Sequence, residues 1–297
     1  MNAALDAPGV RLTTEGLIAT RAVALRTAGA AALSALPGTF GAKRRGQGQD
    51  VVDLRDYVPG DDIRHIDRGA TARTGTIHIR TYREERDRSM LLVADFRPPM
   101  LWGLSRAFLS VAAAEALCLL GWRMVEGGGR VGLLAIGPAS CTVVPVRGRT
   151  NGMLAVIGGL VRAHAEALRA APADGAPVPL DRDLTRAARI APRGGETAIA
   201  SNFEDPGPRF DGVLDALSAR GPLRLLDVGD GLVHRLPRGA YPVRRGDGTR
   251  LRIRVASQAP AEAAPRRIAG RPAMRLDAAA PVAELARRLA EDDRAAS

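Results

Sequence analysis

Met90-Leu91-Leu92-Val93-Ala94, closed by Asp95, is an unbroken apolar run of the kind that forms a strand covered on both faces. A strand with one wet face would alternate instead, so this stretch calls for helices on both sides of a sheet and places the chain in the α/β class. Reading outward, a helical pattern spans about 104–125 and ends at Gly127-Gly128-Gly129. Strands follow at 130–136 and about 141–146, then a helix over 151–170. Beyond a proline-rich break at 172–179 come a short helix near 184–190, a strand at 196–200, a helix at 209–220 and a strand at 223–228. Strands and helices that alternate through short connections predict a mostly parallel, doubly wound sheet flanked by helices.

The flanks have a different texture. Residues 13–36 read as an N-terminal helix stopped by Pro37-Gly38, and residues 51–88 are polar and dense in charge, with an alternating strand at 76–82. At the other end, Gly246-Asp247-Gly248 between alternating segments predicts a hairpin over 241–255, and a last helix covers 282–291. Three segments follow: 1–88, a core at 89–235, and a C-terminal hairpin and helix at 236–297 packed on that core.

Composition narrows the function classes. Hydrophobic residues are 46% of the 297, enough for a full core, but aromatics are 3%, so the core is aliphatic. Cys118 and Cys141 are too few for a disulfide framework or a zinc site and read as small buried hydrophobes of a reducing compartment, the cytoplasm. Asp6, Arg11 and Glu15 interrupt any secretory leader, and Arg21 and Arg26 break the apolar stretch 17–36, which predicts a soluble amphipathic helix and no transmembrane segment. Peripheral contact with a membrane surface is the lesser alternative. The net charge of +11 is almost all arginine, with Lys43 the one lysine; the arginines read as scattered compositional bias, and no specific nucleic-acid partner is expected.

Enzymatic signatures are thin. No phosphate-binding loop is present, and Gly127-Gly128-Gly129 falls after a helix where phosphate cradles follow a strand. His65, His78, His164 and His234 are far apart with no ligand at metal spacing. No nucleophile–base pair is visible, so no catalytic residue and no cofactor are expected.

One segment is specific. It contains Arg55, Asp56, Tyr57, Pro59, Gly60, Asp61, Asp62 and Arg64, then Ile66-Asp67, Thr71-Ala72-Arg73-Thr74-Gly75 and Tyr82-Arg83-Glu84-Glu85-Arg86, and runs directly into the strand ending at Asp95. Proline followed by glycine pre-sets a turn, and Asp62–Arg64 or Asp56–Arg73 could pair to brace the segment. This order and spacing closely resembles an uncharacterised bacterial family that accompanies MoxR-type AAA+ ATPases and carries a von Willebrand factor A-like domain. Arg68 departs from the family, which has tryptophan after Ile-Asp.

What the resemblance implies is a parallel sheet with a metal-ion-dependent adhesion site above the C-terminal strand ends, and a role in assembling or maturing other proteins with the ATPase. That site uses Asp-x-Ser-x-Ser, a threonine and a later aspartate around magnesium. Here the matching residues are Asp95, Arg97 and Pro99, with Asn202, between Ser201 and Phe203, at the later aspartate; the threonine position falls near Pro179-Leu180-Asp181. The implied site is therefore degenerate, with no metal expected. The reading is a non-catalytic protein-binding adaptor partnering a MoxR-type ATPase or its client complex. The alternatives are a magnesium-dependent binder using Asp95 with Asp181 or Glu204, and an unrecognised hydrolase. Arg97 either pairs with Asp95 in place of the metal or points to solvent.

Overall fold

The computed structural model describes residues 7–34, 51–58, 61–63, 66–82, 88–170, 178–244, 250–255 and 266–295. Pro59, Gly60, Arg64, His65 and Glu85, the turn 246–248 and the Tyr82 side chain lie outside the described residues. Residues 36–87 form one compact unit, and 1–35 with 88–297 another, so the N-terminal helix groups with the core and not with the charged segment.

The larger unit is built on a six-stranded sheet. Its elements in chain order are α1 (Thr14–Ser34), then β3 (Ser89–Asp95), α3 (Leu109–Glu126), β4 (Arg130–Ile136), β5 (Cys141–Gly148), α4 (Arg149–Ala170), α5 (Leu180–Ile190), β6 (Glu196–Ser201), α6 (Phe210–Ser218), β7 (Leu223–Gly229), β8 (Gly239–Arg244), β9 (Arg250–Val255), β10 (Arg267–Ile268), β11 (Arg271–Pro272), β12 (Met274–Asp277) and α7 (Val282–Ala295). The smaller unit holds β1 (Val51–Asp56), α2 (Arg68–Thr74) and β2 (His78–Tyr82).

The strand order is β12-β7-β6-β3-β4-β5, parallel except for β5. β5 runs back along β4 because only Gly137-Pro138-Ala139-Ser140 connects them, with Gly137 N donating to Ser140 O at 2.9 Å; a parallel crossover needs a dozen residues or more. β3 lies inside the sheet and every residue of it is buried. Its side chains divide by parity. Met90, Leu92 and Ala94 join the layer of α1, α3, α4 and α7, whereas Leu91 and Val93 join that of α5 and α6. Burial of each such aliphatic side chain contributes roughly 1.5–3 kcal/mol, so the strand is the hub of both cores.

The structure differs from the sequence reading in several places. α3 starts at Leu109, not 104, because 101–108 is a loop pinned by Leu104 N to Asp230 Oδ2 at 2.7 Å and Phe108 N to Gly9 O at 2.8 Å. α5 begins at Leu180, not 184, and α7 runs on to Ala295, past 291. The C-terminal segment also supplies a sixth strand: β12 pairs with β7, Leu276 beside Val228. The expected hairpin is β8 and β9, a separate two-stranded sheet. Cys118 is buried as expected, but Cys141 opens an edge strand and is only partly buried. Burial and the neighbouring Asp183 carboxylate push its thiol up to about 11.

α1 buries Leu17, Thr20 and Ala24, one face at helical spacing, and packs on α3 and α7. Arg21 sits at the rim of that face, 2.7 Å from Glu126 with its guanidinium over the Trp122 ring at 5.3 Å. No described helix is long and apolar enough to cross a membrane.

In the smaller unit β1 and β2 pair antiparallel, with α2 between them in sequence. Asp67 caps α2 by accepting from Ala70 N at 2.8 Å, and Gly75 ends it at φ 78°. Arg68 is the first helical residue and is exposed, so nothing at that position calls for a large apolar group. Of the two braces expected, Asp62–Arg64 involves a residue outside the described ones, and Asp56–Arg73 does not form; the pair that does form is another. Arg55 holds Asp61 with both forks, 2.8 and 2.7 Å, and Asp61 also accepts from Val58 N at 2.9 Å, which keeps its carboxyl below the usual range. Asp56 instead faces His78 Nδ1 at 3.2 Å, and Arg73 is exposed in the last turn of α2.

Candidate functional site

β3 and β6 are parallel neighbours, so their C-terminal ends bring Asp95 and Ser201 side by side. Asp95 is fully buried, and both its oxygens are used. Oδ1 accepts from the backbone N and the Nε of Arg97, each at 3.0 Å; Oδ2 accepts from Arg97 Nη2 at 2.8 Å and from Ser201 Oγ at 2.6 Å. Of the two orientations open to Arg97, the structure has the inward one, with 1% of the residue exposed.

The rest of the guanidinium is equally engaged. Nη1 donates to Val178 O at 2.8 Å and Asp205 O at 3.2 Å, and Nη2 to Glu204 O at 3.0 Å. With the two carboxylate bonds, every N–H of the side chain meets an oxygen. This is the condition under which a buried ion pair is tolerated, because an unpaired charge there would be strongly destabilising.

Pro99 and Asn202 converge on the same place. Pro98 and Pro99 open a short 3-10 turn, Pro98–Met100, and Pro99 O accepts from Asn202 Nδ2 and from Trp102 Nε1, both at 2.9 Å. Asn202 Oδ1 accepts from Glu204 N at 3.1 Å. The loop after β6 is strained: Phe203 and Asp205 have φ of 55° and 47°, unusual for residues with a Cβ. Arg97 holds the two carbonyls that follow Phe203, and Ser201 Oγ accepts from Phe203 N at 2.9 Å. The strained turn is thus clamped to the end of β3.

Asp181 lies in the first turn of α5, almost wholly buried, and turns its Oδ2 to Arg209 N at 2.7 Å. Gly207, at φ 88°, lies against that carboxylate; a Cβ there would collide with it. Glu204 meets Arg97 through its backbone, while partial burial and then the adjacent Asp205 raise its carboxyl above the usual range.

A magnesium ion does not fit this arrangement. Both oxygens of Asp95 are taken by hydrogen-bond donors, and a cation would sit against the guanidinium of Arg97. Among the described residues no group of three or more His, Cys, Asp or Glu is placed to hold a metal. Asp181 gives its carboxylate to Arg209 N and lies against Gly207, and the Glu204 carboxyl feels both the Arg97 guanidinium and the Asp95 carboxylate without joining a ligand group.

The structure also brings together a pair that spacing hid. Ser110 Oγ and His164 Nε2 are 2.9 Å apart and both fully buried, with Phe96 edge-on to the imidazole at 5.1 Å. Burial pushes His164 down to about 4, so it is neutral. This is a core hydrogen bond between helices α3 and α4, shut off from solvent.

A family model described as "Protein of unknown function DUF58" matches residues 53–250. Among curated proteins, Uncharacterized protein Rv1480 of Mycobacterium tuberculosis and Uncharacterized protein Mb1516 of Mycobacterium bovis are each 36% identical over 105 residues. Those alignments span 34% of this chain and 32% of each relative, about a third of the relatives' length.

Proposed function

Because the chain belongs to the family of proteins of unknown function DUF58, we propose that it is a von Willebrand A-like protein-binding adaptor whose site works without a metal ion. Its partner in this reading is a MoxR-type AAA+ ATPase or the client complex that the ATPase serves, in the cytoplasm, and its task is assembly or maturation and not catalysis. The observation that carries the proposal is the saturated Asp95–Arg97 pair at the C-terminal ends of β3 and β6. Ligands of open α/β sheets bind at such ends, and here an internal guanidinium fills the role a cation would have. Contact with the partner then rests on the shape of the clamped 202–207 loop and not on a carboxylate reaching a metal.

Binding between the purified chain and a MoxR-type ATPase encoded in the same genome tests this reading. The expected result is a complex of equal affinity in EDTA and in magnesium, weakened by Arg97→Ala. No complex under either condition removes the partner, and a complex that needs magnesium removes the metal-free mechanism.

A further inference from the structure

The net charge is not scattered. Between residues 231 and 272 ten arginines face only Asp247 and Glu262, a surplus of eight out of the chain's +11. Two of the ten are tied to the body of the fold, Arg266 to Asp227 and Arg271 to Asp215, and a third, Arg267, bonds Gly270 O within its own hairpin. The other seven fall in 235–254, where Asp247 is the lone acid. That stretch contains the β8–β9 ribbon, which among the described residues pairs with no strand of the main sheet.

The ribbon's register sorts its residues. Ala240 pairs with Arg254 and Pro242 with Arg252, while Tyr241 pairs with Ile253 on the alternate positions. Arg235, Arg238, Arg252 and Arg254 are all exposed. Beside the ribbon's root lie exposed apolar side chains. Leu104, 45% exposed, and Val233, 38% exposed, both hang from Asp230, the first by its N–H to Oδ2 at 2.7 Å and the second by its N–H to the carbonyl at 3.1 Å. Ile253, 43% exposed, lies on the opposite face of the ribbon from Arg252 and Arg254.

We propose that this ribbon and its root are a docking surface for an anionic lipid bilayer. Arginine side chains reach lipid phosphates with their forked donors while their stems lie along apolar surface. Each basic residue near an anionic leaflet multiplies binding about five-fold. The exposed Leu104 and Val233 favour this occupant over nucleic acid, and aromatics for base stacking are scarce.

The test is co-sedimentation of the full chain with vesicles of phosphatidylcholine and phosphatidylglycerol in roughly a 3:1 ratio, across a salt series, against pure phosphatidylcholine and a duplex DNA. Binding to the anionic vesicles alone, falling with salt, is expected. Arg252→Glu with Arg254→Glu should lower it at least ten-fold, and the milder Arg252→Gln with Arg254→Gln should lower it less. Arg193→Glu with Arg287→Glu changes the net charge equally on exposed sites elsewhere and should leave binding within about two-fold. Matching melting temperatures establish that the variants are folded. Absent vesicle binding, equal losses in both charge-reversed pairs, or tighter binding to the DNA than to the vesicles at the same salt each overturns the proposal. None of these outcomes bears on the ATPase complex, which is measured without lipid.

Discussion

The guanidinium of Arg97 grips both oxygens of Asp95, Nε to Oδ1 at 3.0 Å and Nη2 to Oδ2 at 2.8 Å, in a site where each side chain is 1% exposed. Two residues apart at a strand end, they close a ring that also takes in the carbonyls of Val178, Glu204 and Asp205. The pair therefore ties β3, the segment before α5 and the loop after β6 together.

Arg97→Ala strands a buried carboxylate and should cost on the order of 3 kcal/mol in denaturant melts. Asp95→Ala should be similarly harmful, because it strands the guanidinium on three carbonyls. Neither effect adds: the double variant should be more stable than the sum of the singles implies, by about 1 kcal/mol or more. A coupling energy near zero would mean that the pair does not act as one unit.

Thermal melts in EDTA and in excess magnesium should superimpose. A folded-state site filled at about 100 times its dissociation constant would add about 2.7 kcal/mol and lift the melting temperature by several degrees. Serines at Arg97 and Pro99 should not bring such a rise by themselves, because Asn202 and Asp181 are already committed to other partners. A metal-dependent shift in the unaltered chain sinks the cation-replacement reading.

Gly207→Ala should destabilise by about 1 kcal/mol or more from its backbone conformation alone, at φ 88°, before the collision with Asp181 is counted. The same change at Gly212, where a Cβ meets nothing, is the matched control and should be near neutral or slightly stabilising. If the two variants melt together, the loop is not held against α5 as described.

The apolar run 90–94 announced a strand buried on both faces, and the alternation after it announced the parallel sheet, because those signals are local and periodic. Asp95, Arg97, Pro99 and Asn202 were legible as one site through a family resemblance, and the structure does bring the four together. What completes the site was not legible. Three of Arg97's acceptors are backbone carbonyls, which any residue supplies, and Ser201 acts through a hydroxyl no spacing singles out. β12 escaped notice because it has four residues and one fully buried side chain, Leu276; its place is decided by β7 beside it. The Asp56–Arg73 brace of the small unit failed for a related reason. Asp56 meets His78 across the strand pair and Arg55 takes Asp61, and no spacing in the segment marks either choice.

His164 sets the last expectation, a pH dependence with a definite sign. Burial against Phe96 and Ser110 holds its native pKa near 4, below the ordinary 6.5. As pH falls from about 6.5 toward 4 the unfolded chain takes up a proton there and the native chain does not, so stability is lost across that window. Above 6.5 the contribution is fully present, and below about 4 the loss levels off because both states are protonated. The shift corresponds to about 3 kcal/mol at its limit. Carboxylates add their own slope below about pH 5, so the decisive comparison is made between about pH 5 and 6.5. There His164→Gln, which keeps a polar partner for Ser110 but does not titrate, should show a flatter stability profile than the unaltered chain. Parallel profiles in that window would mean that His164 is protonated inside the fold, and its burial between α3 and α4 would have to be abandoned.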